Sequence, residues 1–285
     1  MNRSGLRFLT PYILGTILLL VLPAVLTFFY AFTDHTGLAQ PRFNGLTNLR
    51  RMTADPLFFA SLRASLIHVA IAVPLRLLAA TGLGLLLSAP RKGGRWYRAI
   101  VYLPTVIPDI ALALLFLWVL NPIYGPLNQI LGVLGLPQPT WLGTAWGART
   151  GVVMMLLFPI GEAFLVVLAT RRQVNARLYE AAALEGCSPW QQLRHITLPL
   201  LAPVLILLAV RDTVLTFQSN FVPSYILTDG GPANATLYLP IYIFDQSFEF
   251  LGFGYGAMIT LVVLGLTTVL IALQVLLVRR WRTLR

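Results

Sequence analysis

Charged residues are scarce in this 285-residue sequence. Asp, Glu, Lys and Arg together make up 11% of it, whereas hydrophobic residues make up 57%. Soluble domains carry about 25% charged residues, because their surfaces face water. The scarcity excludes a disordered chain, a solvated nucleic-acid-binding domain and most soluble enzymes, and it indicates a protein whose apolar residues face lipid.

Residue types that form disulfides, bind metals or hold nucleotides are also few. The single cysteine, Cys187, has no partner for an intrachain disulfide. His35, His68 and His195 lie far apart and have no metal-ligating residue three or four positions on, so we expect no metal site. The sequence contains no G-x-x-x-x-G-K-[ST] phosphate loop, no H-E-x-x-H motif and no Ser/His/Asp constellation. We therefore expect no catalytic residues and no cofactor bound by this chain.

Long apolar segments are what the sequence has in abundance. A helix needs about 20 mostly apolar residues to cross the ~30 Å hydrocarbon core of a bilayer. Six segments meet this length, and they predict an all-α membrane protein with six transmembrane helices in one domain over residues 1–285. The first segment is longer than the apolar part of a signal peptide and lacks a small-residue cleavage site, so we expect it to be retained. The segments are 12–32, 64–88, 99–120, 150–170, 200–227 and 255–278.

The basic residues predict how the chain is oriented. Lys and Arg number 21 against 10 Asp and Glu, a net charge of +11. In a soluble protein this excess would indicate nucleic acid, but here the basic residues lie between apolar segments, and we expect membrane lipid and no nucleic acid as a partner. With the N-terminus inside, the inner segments hold 14 basic residues, the outer segments five and the spans two. Because cytoplasmic loops collect Lys and Arg, both termini are predicted to be cytoplasmic.

The inner segment 171–199 is long and polar and carries the most informative motif. Paired alanines would let another backbone approach closely, and Gly186 permits a turn that a Cβ atom would hinder. Ser188-Pro189 is typical of a helix N-cap with proline at the first helical position, and we expect that helix to end near Leu198-Pro199. The motif reads Glu180-Ala181-Ala182-Ala183-Leu184-Glu185-Gly186, nine further residues, and Ile196-Thr197-Leu198-Pro199.

These residues resemble the EAA signature of permease subunits in binding-protein-dependent ABC importers. The signature is E-A-A, three residues, G, nine residues and I-x-L-P, and every fixed position matches at the right spacing. The resemblance implies the type I importer permease fold, N-in and C-in, with a cytoplasmic coupling helix that docks on a separate ATPase. It assigns Glu180, Ala181, Ala182 and Gly186 to this coupling. It further implies a second homologous permease, two ATPase subunits that bind the ATP, an extracytoplasmic solute-binding protein, and a multi-pass location in a bacterial or archaeal cytoplasmic membrane.

A second motif narrows the branch of this family. Thr228-Asp229-Gly230-Gly231-Pro232, followed by Thr236 and an aromatic run over 238–248, resembles the T-x-G-G-P segment of sugar-importer permeases of the maltose type. A Gly-Pro turn closing an outer loop would give the same residues. Together the two resemblances cover the chain from about residue 60 onward, and they imply import of a sugar or oligosaccharide.

A few polar residues fall inside the predicted spans. A charge at the bilayer centre costs about 2.5–3.5 kcal/mol, so these side chains must face protein or water. Glu162 and Asn220 are predicted to line a translocation cavity. Arg211 and Asp212 are predicted to form an internal Arg–carboxylate pair or polar contacts with a neighbouring helix.

The resemblance also predicts which residues contact the solute, because maltose-type permeases use the spans on either side of the EAA loop. Glu162 matches one such position when counted from Glu180, and three residues of the fifth span match when counted from the T-x-G-G-P turn. Counting that span from the EAA loop instead selects Asp212, Thr216 and Ser219, and the sequence leaves the two registers open. Carboxylates and amides suit sugar hydroxyls, and a Phe ring suits the face of a sugar. The predicted substrate-binding residues are Phe158, Glu162, Thr213, Phe217 and Asn220.

Two other functions fit the residues less completely. An ion-coupled secondary transporter would use its own intramembrane carboxylates, Asp109 and Glu162, but would not need an EAA loop. An importer of a glycerol-phosphate-type solute would require basic residues at the cavity, where only Arg76 and Arg211 are available. Arg76 is instead expected to contact a carboxylate on another helix, with Asp109 as the candidate. An uncharged sugar or oligosaccharide is therefore the predicted solute.

Overall fold

The computed structural model describes residues 3–89 and 92–283, with the side chains of all of these except 3–8, 219 and 277–283. This part of the chain is helical apart from turns and connections, and it has one isolated antiparallel bridge between Thr33 and Phe43. The α-helices are α1 (Arg3–Thr16), α2 (Leu22–Ala31), α3 (Thr47–Thr53), α4 (Pro56–Leu86), α5 (Gly94–Tyr102), α6 (Asp109–Val119), α7 (Pro126–Val133), α8 (Ala145–Leu157), α9 (Gly161–Gln173), α10 (Ala176–Leu184), α11 (Pro189–Gln192), α12 (Leu198–Ser219), α13 (Phe221–Leu227), α14 (Leu239–Phe244) and α15 (Phe253–Thr283).

Within the described residues, four helices are long and apolar enough to cross a membrane, and two bent pairs bring the candidates to six. The first pair joins α5 and its 3₁₀ extension to α6 at an angle of 100°, and the second joins α8 to α9 at 50°. The predicted all-α membrane class is confirmed, while the count of six spans stays a prediction. The four single helices are Leu9–Ala31, Pro56–Leu86, Pro189–Gln218 and Phe253–Leu276.

Prolines account for both bent pairs. Pro104 and Pro108 lie between α5 and α6, and Pro159 lies between α8 and α9. Proline has no N–H group, and it disfavours helical backbone in the residue before it. The two breaks are fastened together, because the N–H of Gly161 donates to Oγ1 of Thr105 at 3.0 Å. A Cβ atom on Gly161 would overlap that hydroxyl, so only glycine allows the approach.

The helix that begins at Pro189 does not end near Leu198-Pro199, and this prediction is wrong. It continues through one wide turn of π geometry, Leu193–Thr197, into α12. A proline ring clashes with the carbonyl four residues earlier in a regular α-helix. In the wide turn the N–H of Leu198 donates to the carbonyl of Leu193, five residues earlier. That geometry makes room for the ring of Pro199 without ending the helix.

The described chain forms two compact units. One contains Ala60–Ile241 with the C-terminal segment from Thr267, and the other contains the N-terminal segment up to Phe59 with Tyr242–Leu266. In the first unit one apolar core packs α6 against α8, and a second packs α9 against α12 through buried Val167 and Leu208. The prediction of one domain over residues 1–285 stays a prediction.

Candidate functional site

The loop between α9 and α12 has the turn at Gly186 and the helix start at Ser188-Pro189 that its sequence predicts. Asn175 caps α10, because its side chain accepts a hydrogen bond from the N–H of Arg177 at 3.0 Å. Gly186 ends the helix with φ +79°, a conformation that L-residues adopt only under strain. The N–H of Gly186 donates to Ala183, and the N–H of Cys187 donates to Ala182. This pair of hydrogen bonds is the Schellman motif, which fixes the direction in which the chain leaves α10.

The start of the next helix, α11, is also fixed by hydrogen bonds. Ser188 and Gln191 form a reciprocal capping box, with Pro189 at the first helical position. The hydroxyl of Tyr179 lies 3.0 Å from Oγ1 of Thr197, so α10 is tied to the wide turn that leads into α12. The guanidinium of Arg171 lies 4.2 Å from the ring centroid of Tyr179, which ties α10 to the end of α9 as well. The loop is therefore a rigid connection between two helices.

The loop exposes two large apolar side chains. Leu184 is 90% exposed and Trp190 is 67% exposed. Of the four residues predicted to act in coupling, Glu180, Ala181 and Gly186 are exposed and Ala182 is half-buried. Large apolar side chains exposed on an otherwise polar loop can bind another protein.

A cavity of about 260 Å³ lies beside the break between α8 and α9. This volume is below the ~300–1,000 Å³ of pockets that enclose drug-sized ligands, so the cavity would hold a small solute or one end of a larger one. Its polar lining consists of Arg76, Thr105, Asp109, Glu162, Arg211 and Thr216.

Four charged residues at or beside the cavity and the carbonyl of Leu156 form a connected network on four helices. The Nη1 atom of Arg76 donates to the carbonyl of Leu156 at 3.1 Å, and its Nε atom lies 3.6 Å from Oδ2 of Asp212. The other oxygen of Asp212 accepts from Arg211 at 3.4 Å. Arg211 also forms an ion pair with Glu162 through its Nη2 atom. The predicted pairing of Arg211 with carboxylates is thus present.

The contact expected between Arg76 and Asp109 is absent from the described residues, and its place is taken by Asp212. Asp212 is 1% exposed, and a buried carboxylate requires a counter-ion more than an exposed one does. Asp109 is exposed at the start of α6 and remains accessible from the cavity. Because Arg76 and Asp212 are far apart in the sequence, no local pattern connects them.

The structure brings only part of the predicted substrate-binding set to this cavity. Glu162 lines it, and so does Thr216, which belongs to the register counted from the EAA loop. Thr213 is buried and bonded elsewhere, since its hydroxyl donates to the carbonyl of Ala209 and accepts from Gln274.

The remaining members of the set lie away from the cavity lining. Phe217 and Asn220 are buried, with 3% and 1% of their surfaces exposed. Phe158 is 44% exposed and meets Phe116 edge to face. The side chain of Ser219 lies outside those that the structure describes. The geometry therefore favours the register of Thr216, and solute contact by any of these residues stays a prediction.

Sequence reasoning missed Thr105 and Leu215 as cavity residues. Thr105 follows Pro104, and a polar residue beside a proline within an apolar segment is the signal that could have found it. Leu215 carries no such signal, because an apolar residue in an apolar helix has no distinguishing pattern.

The T-x-G-G-P turn is held together by its two threonines. The hydroxyl of Thr236, which is fully buried, donates to the carbonyl of Gly231 at 2.7 Å. It also lies 2.7 Å from the hydroxyl of Thr228, which in turn donates to the carbonyl of Ser224 in the middle of α13. The peptide bond between Gly231 and Pro232 is cis. The turn thus joins α13 to the segment that follows it.

A separate polar cluster lies in the unit that contains the N-terminal segment up to Phe59 and Tyr242–Leu266. Asp55 accepts hydrogen bonds from the hydroxyls of Tyr242 and Tyr255. Burial alone would raise the pKa of the Asp55 carboxyl, but these bonds and those from the N–H groups of Leu57 and Phe58 lower the pKa below its ordinary value. Burial, together with the bond to Asp55, raises the pKa of Tyr242, so this hydroxyl remains a donor at neutral pH.

Bent apolar helices, a polar cavity beside their breaks and a rigid exposed loop define a membrane transport subunit. Residues 72–283 match the family described as "Binding-protein-dependent transport system inner membrane component", and the chain belongs to this family. The predicted resemblance is confirmed. The chain is accordingly a multi-pass permease subunit of a binding-protein-dependent importer, and the alternative of an ion-coupled secondary transporter is excluded.

Relatives with named solutes support the family and span most of the chain. The trehalose/maltose transport system permease protein MalF of Thermococcus litoralis is 30% identical over 261 residues, which cover 91% of this chain and 88% of the relative. The lactose transport system permease protein LacF of Rhizobium radiobacter is 29% identical over 240 residues, which cover 82% and 80%. A chain from the bacterial alginate ABC transporter superposes with a TM-score of 0.85 at 20% identity and covers 97% of this chain and 94% of its own length. This last similarity confirms the importer permease fold.

Proposed function

We propose that this chain forms the solute path for a sugar or oligosaccharide and couples it to a separate ATPase through residues 174–188. The observation that carries the proposal is the rigid helix–turn–helix that exposes Leu184 and Trp190. Both ends of this loop are fixed by caps, so a force applied to it would pass into α9 and α12 without being absorbed.

The uncharged nature of the solute is supported by the cavity. Both arginines at the cavity already have carboxylate partners, Asp212 for Arg76 and Glu162 with Asp212 for Arg211. A phosphate or sulfate group would have to displace these partners to bind a guanidinium. Hydroxyl groups of a sugar can instead donate to Asp109 and Glu162. The named solutes of two relatives, lactose and trehalose/maltose, are sugars of this kind.

The proposal includes the partners and the location that the family resemblance implies. They are a second homologous permease, two ATPase subunits that bind the ATP, and an extracytoplasmic solute-binding protein. The chain itself is non-catalytic and holds no cofactor. It lies in the cytoplasmic membrane of a bacterium or archaeon with both termini inside, so that residues 174–188 face the ATPase.

The coupling surface can be tested by Leu184→Asp in the complex expressed together with its ATPase subunits. At 90% exposure this substitution costs the isolated chain little. Within a docked interface it would bury an unpaired charge, which is strongly unfavourable. We expect normal amounts of the permease in the membrane and at least tenfold less ATPase on affinity purification.

Val133→Asp is the matched control, because Val133 is 89% exposed at the end of α7, outside the loop. It should purify with the normal amount of ATPase. Equal recovery of ATPase by both variants would contradict docking at the loop. Uptake of labelled lactose, maltose and trehalose by the wild-type complex in proteoliposomes, against glycerol 3-phosphate, tests the solute class separately.

A further inference from the structure

The ion pair between Glu162 and Arg211 joins α9 and α12, the two helices that are connected by the loop between them, hereafter the coupling loop. Glu162 lies in the first turn of α9, and Arg211 lies in α12. The chain runs from the end of α9 at Gln173 through the loop and into α12 at Leu198. A displacement of the loop relative to the rest of the unit therefore acts on both partners of this pair.

The pair lies at the end of the cavity that is nearer to the loop. Glu162 is separated from Gln173 by about 16 Å of helix and Arg211 from Leu198 by about 20 Å, at 1.5 Å per residue. The other polar residue that α12 contributes to the cavity, Thr216, lies a further turn and a half away from the loop. A solute that leaves the cavity toward the loop must pass Glu162 and Arg211.

The network that contains this pair begins and ends at one helix break. Arg76 donates to the carbonyl of Leu156 on the α8 side of the break. This carbonyl is free because α8 ends one residue later, and the last carbonyls of a helix have no partner within it. The links then run through Asp212 and Arg211 to Glu162 on the α9 side.

The links of this network differ in how easily they can separate. Asp212 is 1% exposed, so its pairing with Arg76 and Arg211 is permanent, because a buried charge without a partner is very unfavourable. The side chains of Arg211 and Glu162 are 38% and 54% exposed. An ion pair with this much access to water contributes little to stability and can open. When it opens, Arg211 keeps Asp212 as its counter-ion and Glu162 is hydrated or accepts solute hydroxyls.

We propose that Glu162 and Arg211 form a charged gate that closes the solute cavity toward the coupling loop, with Arg76 as its positioning residue. The proposal rests on the proposed function, since it requires that solute passes through this cavity. Movement of the docked loop passes into α9 and α12 and shifts the ends of these helices at the cavity, the exposed pair opens, and the solute is released on the side of the ATPase. Arg76 holds Asp212, and through it Arg211, in the closed position.

Cross-linking tests the gate directly. The single native cysteine of this chain is first removed by Cys187→Ser. Glu162→Cys and Arg211→Cys are then combined in that background, and the two introduced thiols are joined with a short bifunctional methanethiosulfonate reagent. We expect the cross-linked complex to bind ATP and binding protein but to lose solute uptake, and a reducing agent to restore it. The Cys187→Ser complex treated in the same way is the control. Uptake by the cross-linked complex at the control rate would overturn the proposal.

Neutral substitutions provide a second test that does not depend on cross-linking. Glu162→Gln and Arg211→Gln each remove the pair, and we expect ATPase activity without solute to rise about two- to fivefold, the shift in open population that loss of an exposed pair produces. The double variant should match Arg211→Gln, because replacing Glu162 removes no further ion pair once Arg211 is gone. Gln218→Ala, an exposed position of α12 away from the cavity, should leave this activity unchanged. Additive effects of the two substitutions would show that the residues do not act as a pair.

Arg76→Lys tests whether Arg76 positions the gate or only stabilises the fold. Lysine keeps the positive charge beside Asp212 but is a point donor and cannot also reach the Leu156 carbonyl as the guanidinium does. We expect a stable complex whose ATPase activity without solute rises as in Arg211→Gln. Basal activity at the wild-type level would remove Arg76 from the gate. If the wild-type complex transports no sugar at all, the proposed solute is wrong, whereas the ATPase measurements, which are made without solute, still decide the gate.

Discussion

Gln274 donates a hydrogen bond from Nε2 to Oγ1 of Thr213 at 2.7 Å. The hydroxyl of Thr213 in turn donates to the carbonyl of Ala209 in its own helix. Thr213 is thus satisfied on both sides and packs α12 against the C-terminal helix, whereas Thr216, one turn on, faces the cavity.

Valine substitutions should distinguish the packing role of Thr213 from the cavity role of Thr216. Thr213→Val leaves the buried amide of Gln274 without its acceptor, which costs about 1–3 kcal/mol. We expect the purified complex to melt at a lower temperature with an unchanged KM for solute. Thr216→Val should leave the melting temperature nearly unchanged and weaken solute uptake. A raised KM in Thr213→Val alone would support the other register of the fifth span.

Gly186 is predicted to matter through its backbone conformation. A Cβ atom there meets nothing within 4 Å, but φ is +79°, and an L-residue pays about 1–2 kcal/mol in this region. Gly186→Val should distort the exit from α10 and abolish solute-stimulated ATPase activity while the complex is still expressed. Gly186→Asn is the control, because asparagine tolerates positive φ, and it should retain most of the activity. Normal transport by the valine variant would show that docking does not depend on this turn.

Thr236 should stabilise the segment after α13. In Thr236→Val the shape is conserved, but the buried carbonyl of Gly231 loses its donor and Thr228 loses its partner. We expect a loss of about 1–3 kcal/mol, measured as a lower melting temperature of the purified complex. Thr150→Val, at a half-buried position of α8 where the hydroxyl bonds the carbonyl of Trp146 in its own helix, should change it far less. Equal melting temperatures for both variants would show that this hydroxyl is dispensable.

The stabilising effect of Tyr242 should depend on pH. The pKa of Asp55 is lower in the folded chain than its ordinary value of 3.8, so its contribution is present above about pH 4 and is lost as the pH falls through the folded value. Tyr242→Phe removes one donor and should lower the melting temperature at pH 7, and the difference from wild type should shrink as the pH falls below 3.8 toward about 2.5. Tyr97→Phe, at an exposed tyrosine, should show no such pH dependence. A difference that is the same at both pH values would exclude the carboxylate as the cause.

The coupling loop could be predicted from sequence because its signals are local. Ser188 forms its capping box with Gln191, three residues later, and Gly186 closes a turn with residues immediately before it. The cavity register could not be predicted in the same way. One residue of offset rotates a helical position by about 100°, which is enough to exchange Thr213 for its neighbours on another face.

Ion pairs between residues far apart in the sequence could not be predicted either. The sequence indicated that Arg76 requires a carboxylate, since an unpaired charge inside a membrane is costly. It could not choose between Asp109 and Asp212, because both lie on other helices and the choice depends on how far each is buried. Only the packed helices decide that Asp212 is enclosed and Asp109 is not.

The wide turn Leu193–Thr197 also sets the angular phase of α12. It accommodates one residue more than an α-helical turn would, and each residue is worth about 100° of rotation and 1.5 Å of rise. Removing one residue from this turn would leave the rest of the helix intact but turn Arg211 away from Glu162. The identity of the side chains that face the cavity is therefore decided about four turns away, by the hydrogen bonding of a segment that never meets the solute.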